Sequence, residues 1–179
     1  MNTPHLAVQQ IDTPIGSLHI CANETGICLM AFSDSAHLAR TVSLLERRAR
    51  ITAGTNAHIR QAALEISEYF AGRRQHFTTA LQPYGSDFQQ TVWTALQGIP
   101  YGTTTHYQAL AAYVDRPTAT RAVAAANAAN PIAILIPCHR VIDKQGGLTG
   151  YAGGLFRKNW LLAHERQFSL SSTRSSVCT

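Results

Sequence analysis

Pro83-Tyr84-Gly85 parts the chain into a strand-rich text and a helix-rich text, and this change of period points to two domains of different architecture. Before it, apolar residues fall in short runs: Leu6-Ala7-Val8, Leu18-His19-Ile20-Cys21 and Ile27-Cys28-Leu29-Met30. Pro14-Ile15-Gly16 and Asn23-Glu24-Thr25-Gly26 separate them with turn chemistry, so an antiparallel sheet is expected. Two amphipathic helices follow to cover it, from about Ser35 to Ala49 with Leu38, Val42 and Leu45 on one face, and from about Asn56 to Ala71 with Ile59, Ala63, Ile66 and Phe70. Gly72-Arg73-Arg74 stops the second helix.

Beyond the linker the helical period takes over. Ser86 or Asp87 caps a helix carrying Phe88, Val92 and Leu96, ended by Gly98 and Pro100. Thr104-Thr105 reads as the cap of a short helix through Tyr107 to Ala112, a turn follows at Asp115-Arg116-Pro117, and a second helix runs from about Thr118 to Ala129. Two short helices across a tight turn read as a helix-turn-helix. The expected fold class is α+β: a small amino-terminal α/β domain over residues 1–85, then a mostly helical domain over 86–168. The tail 169–179 has seven hydroxyl residues in eleven and little to bury, so it is expected to be disordered, with Cys178 incidental.

With 179 residues and 45% apolar content, the chain can build its cores without staples. No apolar stretch reaches the 18 or so residues of a membrane span, and Met1 to Ala7 lacks a signal-like start, so a cytoplasmic protein with no membrane partner is expected, in a bacterial-like cytosol or nucleoid. Cys21, Cys28, Cys138 and Cys178 show no framework spacing and read as reduced thiols. Cys21 and Cys28, with His19 and His5 nearby, raise zinc as an alternative, but both cysteines lie in strand-like apolar runs, which favours core packing; no metal and no cofactor are expected. Net charge is +1 over residues 1–85 (seven basic, six acidic) and +4 over 86–179 (eight basic, four acidic), so the second half is the candidate for an anionic partner. Thirteen of the fifteen basic residues are arginine, the side chain suited to bidentate phosphate contacts.

The chemistry-bearing segment is Ile134-Leu135-Ile136-Pro137-Cys138-His139-Arg140-Val141. An apolar run ends at a proline that disfavours a continuing helix, and a rigid turn then presents thiol, imidazole and guanidinium in succession. A free thiol is only a few per cent ionised at neutral pH, so a nucleophilic Cys138 needs activation. An isolated Cys-His pair is more often a small buried hydrophobe beside a satisfied polar neighbour; here the flanks favour chemistry. The second helix of the pair is informative by what it lacks. Arg121-Ala122-Val123-Ala124-Ala125-Ala126-Asn127-Ala128-Ala129 offers one arginine and a surface of methyl groups, which permits close approach to a groove but not the reading of a base sequence.

Residues Phe88 to Glu165 resemble the O6-alkylguanine-DNA alkyltransferases, also called methylated-DNA–protein-cysteine methyltransferases. The likeness rests on Pro137-Cys138-His139-Arg140-Val141, Asn130-Pro131, Arg121-Ala122-Val123, Tyr107 fourteen residues before that arginine, Gly150-Tyr151-Ala152-Gly153-Gly154, and Trp160-Leu161-Leu162-Ala163-His164-Glu165. The resemblance implies stoichiometric, irreversible transfer of a methyl or larger alkyl group from O6 of guanine to Cys138, with O4 of thymine a second candidate atom. It implies His139 as the base acting through a water and Glu165 as its orienter, Tyr107 as the aid to guanine departure and crowder of the target phosphate, and Asn130 as the brace of the turn. Arg121 matches the finger that fills the space left by the flipped nucleotide, with Tyr107, Ala122 and Ala126 also against DNA. Val141, Tyr151 and Ala152 would line the base pocket; some relatives have serine at the Ala152 position, which leaves the preference among larger alkyl groups open. The implied partner is double-stranded DNA carrying O6-alkylguanine, bound by a monomer acting alone or cooperatively.

Two other classes compete. A DNA-binding module without chemistry is disfavoured by the alanine-rich helix if it is a regulator, and by the presence of Cys138 if it is a lesion sensor of the alkyltransferase-like type. A thiol hydrolase would need a base other than the adjacent His139, for which His106 and His164 are the spare candidates.

Overall fold

The computed structural model describes residues 4–174, with side chains to residue 169. The chain divides into two compact units, the first comprising the chain up to Tyr84 plus Pro131–Ala133, the second Gly85–Asn130 and the chain from Ile134 onward. The class is α+β.

In the first unit, β1 (His5–Ile11), β2 (Leu18–Ala22) and β3 (Ile27–Phe32) form antiparallel neighbours. The sheet is not purely antiparallel. After α1 (Leu38–Glu46) comes β4 (Arg50–Ala53), which pairs parallel to β1 and gives the order β3-β2-β1-β4. The helix expected from about Ser35 to Ala49 ends at Glu46, and the strand lies just beyond that end. Arg48 and Ala49 instead close back on Leu45 through their backbone N–H groups, and the chain leaves the helix straight into the sheet. A strand reached over a helical crossover can return parallel, which a hairpin cannot do. Helix α2 (Ala57–Phe70), capped by the Asn56 side chain on Ile59 N, buries Ile59, Ala62, Ile66 and Tyr69. The sheet buries Leu6, Leu18, Ile20, Leu29, Met30 and Phe32, and Cys21 and Cys28 lie among them.

Pro131–Ala133, drawn from late in the sequence, extends this sheet: Met30 N donates to Pro131 O at 2.9 Å and Ala133 N to Met30 O at 2.7 Å. Ile134 then takes φ +69°, a left-handed conformation that is strained for a β-branched residue and persists here with the side chain fully buried.

The second unit begins with α3 (Asp87–Gln97), where Ser86 and Gln89 form a reciprocal capping box. Trp93 is buried and donates its Nε1 to Ala126 O at 2.9 Å, tying α3 to the later helix. The helix-turn-helix is α4 (Tyr107–Tyr113) and α5 (Thr120–Ala128). The cap of α4 is not Thr104-Thr105. Thr105–His106 forms a short strand, β5, and His106 caps the helix through its ring. Helix α5 starts two residues later than expected, because Ala119 N turns back on Arg116 O. Cys138–Arg140 make one 3-10 turn, β6 (Val141–Ile142) pairs parallel with β5, and α6 runs Leu155–Arg174. The tail expected to lack structure from Ser169 therefore carries α6 through six more residues, 169–174, since extending a formed helix costs little. Residues 175–179, with Cys178, lie outside the described residues. No described helix is long and apolar enough to cross a membrane.

Candidate active site

Ile134, Leu135 and Ile136 anchor the approach to Cys138 by burial, and Pro137 ends it. Cys138 N donates to Ile136 O at 2.8 Å and Arg140 N to Pro137 O at 3.0 Å, so the turn is tight. Asn130, two residues past α5, donates its Nδ2 to Ile136 O at 2.9 Å and bonds the thiol itself. Cys138 is 7% exposed, buried without being sealed. Burial pushes its thiol up from the ordinary value, while the Asn130 side chain and the positive charge of Lys158 pull it back. The resting group is a thiol.

Glu165 of α6 is fully buried and saturated. Its Oε1 stands 2.7 Å from His139 Nε2 and accepts from Arg140 Nη2 at 3.0 Å; its Oε2 accepts from Arg140 Nε at 2.9 Å and Gly102 N at 3.1 Å. Burial opposes its ionisation, but the hydrogen bonds and charges of His139 and Arg140 outweigh burial and hold the carboxyl down at about 2. An ionised carboxylate only accepts, so the proton of the imidazole is on Nε2. Burial keeps His139 neutral by lowering its pKa against the pull of Glu165. Nδ1 is then a bare, buried acceptor, with no hydrogen-bond partner among the described residues. Arg140 also donates to Ile99 O at 2.6 Å and stacks 5.7 Å from the Tyr101 ring centroid. The imidazole can take a proton on Nδ1, and the ionised Glu165 can stabilise the imidazolium that results.

Lys158 was not singled out from sequence. It is fully buried, and its Nζ donates to Val141 O at 2.6 Å and Thr149 O at 2.7 Å, joining the strand after the cysteine turn to the loop before Tyr151. A signal existed: Lys158 is one of only two lysines among fifteen basic residues, and it sits two positions before Trp160. Arg140, which the sequence offers only as part of the motif, is the cation that pairs with Glu165.

Tyr107 opens α4, half-buried, with its hydroxyl donating to Thr149 O at 3.4 Å. Tyr151 has a half-buried ring and an enclosed hydroxyl, whose pKa is pushed well up by burial and by the neighbouring Cys138. Ala152 is half-buried in the same loop, between Gly150 at φ +42° and Gly154 at φ +90°, and Arg157 Nη1 donates to Gly153 O at 2.8 Å. Val141 is buried, its N–H on Cys138 O and its carbonyl on Lys158. Arg121 and Ala122 are on the exposed face of α5, outside this hydrogen-bonded cluster. Ala126 does not share that face: it is 3% exposed, turned inward where its carbonyl receives Trp93, so its side chain cannot meet a groove. The α5 methyl groups that do face outward are those of Ala122, Ala125 and Ala128. The spare bases have structural roles, His106 as the cap of α4 and His164 stacked on Trp160 with ring centroids 4.9 Å apart.

Residues 87–167 match the family model described as 6-O-methylguanine DNA methyltransferase, DNA binding domain, and residues 7–83 the model described as 6-O-methylguanine DNA methyltransferase, ribonuclease-like domain. The methylated-DNA–protein-cysteine methyltransferase of Methanosarcina barkeri is 42% identical over 158 residues, 87% of this chain and 94% of its own. That of Salmonella typhimurium is 40% identical over 174 residues, 89% of this chain and 95% of its own. A crystal structure of Mycobacterium tuberculosis OGT in complex with DNA superposes with a TM-score of 0.79 at 38% identity, covering 92% of this chain and 94% of that one. A buried cysteine turn, a neutral imidazole and an ionised carboxylate in a chain similar to these relatives over nearly its whole length lead to one assignment: the protein belongs to the methylated-DNA–protein-cysteine methyltransferase family.

Proposed function

We propose that the protein repairs DNA by direct reversal, moving an alkyl group from O6 of guanine, with O4 of thymine a second source, onto Cys138 once per molecule. The observation that carries this reading is the bare, buried Nδ1 of His139, the residue that follows the buried Cys138, backed by an ionised Glu165. The thiol proton passes to His139 through a water, and the imidazolium is stabilised by Glu165. The sulfur forms its bond to the alkyl carbon as the bond from that carbon to O6 breaks, the electron pair staying on the guanine. Tyr107 supplies a proton to the departing base, and the proton held by His139 restores the balance. A thioether is left on Cys138 and is not hydrolysed, so there is no second turnover.

The target lies within a stacked duplex and must rotate out, at a cost of a few kcal/mol. Residues 86–168 are the part that does this: Arg121 fills the vacated space, and the exposed methyl groups of α5 permit a close minor-groove approach with little base reading. Asn130 holds the turn; Val141, Tyr151 and Ala152 receive the base. The protein acts as a cytoplasmic monomer, alone or cooperatively along DNA. Incubation with duplex containing O6-methylguanine followed by peptide mass spectrometry tests the reading. One methyl on Cys138 per molecule is the expected result; a methyl on Cys21, Cys28 or Cys178 with Cys138 unmodified, or many lesions processed per protein, defeats it.

A further inference from the structure

Helix α4 has only seven residues, so few that its existence depends on how its first turn is tied. The first N–H groups of any helix lack internal partners, and a side-chain acceptor at the cap supplies one. In this chain the acceptor is an imidazole: Ala109 N donates to His106 Nδ1 at 3.1 Å, with His106 itself in extended conformation at φ −120° and ψ 159°. The cap residue is also pinned through its backbone. His106 pairs with Ile142 and Thr105 with Val141, and Val141 in turn donates its N–H to Cys138 O. The residue that starts α4 is thus tied to the strand that leaves the cysteine turn, and the next residue is Tyr107.

We propose that His106 is a positioning residue for the transfer reaction. By fixing where α4 begins, its ring fixes the direction in which Tyr107 projects, and its strand pairing refers that direction to Cys138. The first helical residue has no preceding turn to hold it, so its Cα–Cβ bond points wherever the cap places it. The Tyr107 hydroxyl is meanwhile kept in reach by a single long contact to Thr149 O, 3.4 Å, which a nucleobase can displace. The inference rests on the alkyl-transfer reading and on the part that reading gives to Tyr107.

Single-turnover transfer from O6-methylguanine duplex, measured for the full chain, is the test. His106→Ala slows transfer about tenfold, the scale of a lost cap. His106→Asn, which caps through its amide oxygen, restores the rate to within about threefold. In a Tyr107→Phe background, His106→Ala costs less than about twofold more, because the hydroxyl it served is gone. Ser86→Ala, which removes the cap of α3, lowers the melting temperature comparably and leaves the rate unchanged. A His106→Ala rate equal to wild type, failure of His106→Asn to rescue, a full tenfold loss in the Tyr107→Phe background, or an equal loss in Ser86→Ala each overturns the proposal while wild type still reacts. A wild-type protein that accepts no methyl group overturns the alkyl-transfer reading itself, and this inference with it.

Discussion

The first unit buries two thiols in its sheet and the second buries one at a turn, yet their surroundings set them to different work. Cys21 is pushed up to about 12, by burial first and then by its neighbour Cys28, with nothing nearby to draw the proton off. Cys28 is raised by burial too, with only partial relief from Asn23 and Tyr84. Cys138 is buried too, though 7% exposed, and the Asn130 side chain and the Lys158 charge pull its proton affinity back against burial. The difference teaches that burial alone makes cysteine inert, and that reactivity comes from the polar groups which the fold is made to bury beside it. Burying those groups is costly unless each is paired, which explains why Glu165, Arg140 and Lys158 have nearly every polar atom engaged.

Four substitutions probe that contrast, from the largest effect to the smallest. Glu165→Gln removes the anion that balances Arg140 and orients His139, and should cost about 3–5 kcal/mol in denaturant unfolding as well as most of the transfer rate. The pH dependence of the same unfolding free energy follows from the shifts. His139 has its folded pKa below 6.5, so its contribution is complete above pH 6.5 and fades as the unfolded chain takes up the proton below it. Glu165 has its folded value depressed from 4.5 to about 2, so its contribution is complete above pH 4.5 and is lost as pH falls toward 2. The lower limb should disappear in Glu165→Gln; an unchanged acid profile would contradict the assignment of charge.

Lys158→Met keeps the side-chain volume but strands the carbonyls of Val141 and Thr149 and removes the cation felt by the sulfur. Transfer should fall on the order of tenfold to a hundredfold, and the pH profile for alkylation of Cys138 by iodoacetamide should move to higher pH. A profile that stays in place would leave Lys158 as a scaffold group only. Arg121→Ala should slow repair in duplex by about tenfold, the scale of one charge-assisted contact, while reaction with free O6-benzylguanine is unaffected. Equal losses on both substrates would remove the finger role. Cys21→Ala should cost only about 1 kcal/mol of stability, as a small core truncation, with the transfer rate preserved. A loss of transfer there would erase the distinction between the two kinds of buried thiol.

Much of this was legible in the chain because local rules dominate where turns and periods are strong. The start of α2 near Asn56 and a cap at Ser86 or Asp87 for α3 were recognisable from short polar side chains before apolar periodicity, and the structure puts the caps on Asn56 and Ser86. The cap of α4 was not, since histidine is an uncommon acceptor there and Thr104-Thr105 offered the usual chemistry. Strand β4 was missed because Arg47-Arg48-Ala49 makes its turn without a glycine, proline, asparagine or aspartate, and Arg50-Ile51-Thr52-Ala53 has only two half-buried side chains. Ala126 was assigned to the wrong face because an alanine run carries no amphipathic contrast. Lys158 escaped because a lysine between Arg157 and Asn159 reads as part of a solvated helix face until its partners are known.

The sequence by itself determined that two architectures meet at Pro83-Tyr84-Gly85, and that a thiol, an imidazole and a guanidinium follow one proline. Periodicity and turn chemistry are properties of neighbours in the chain, and one chain suffices to read them. Only the tertiary structure decided that Glu165 lies beneath His139 and Arg140, that Lys158 closes on two carbonyls, and that His106 holds the start of α4. These contacts join residues as many as 63 positions apart, as from Gly102 to Glu165, and their protonation states depend on burial and mutual charge, which exist once the chain has folded.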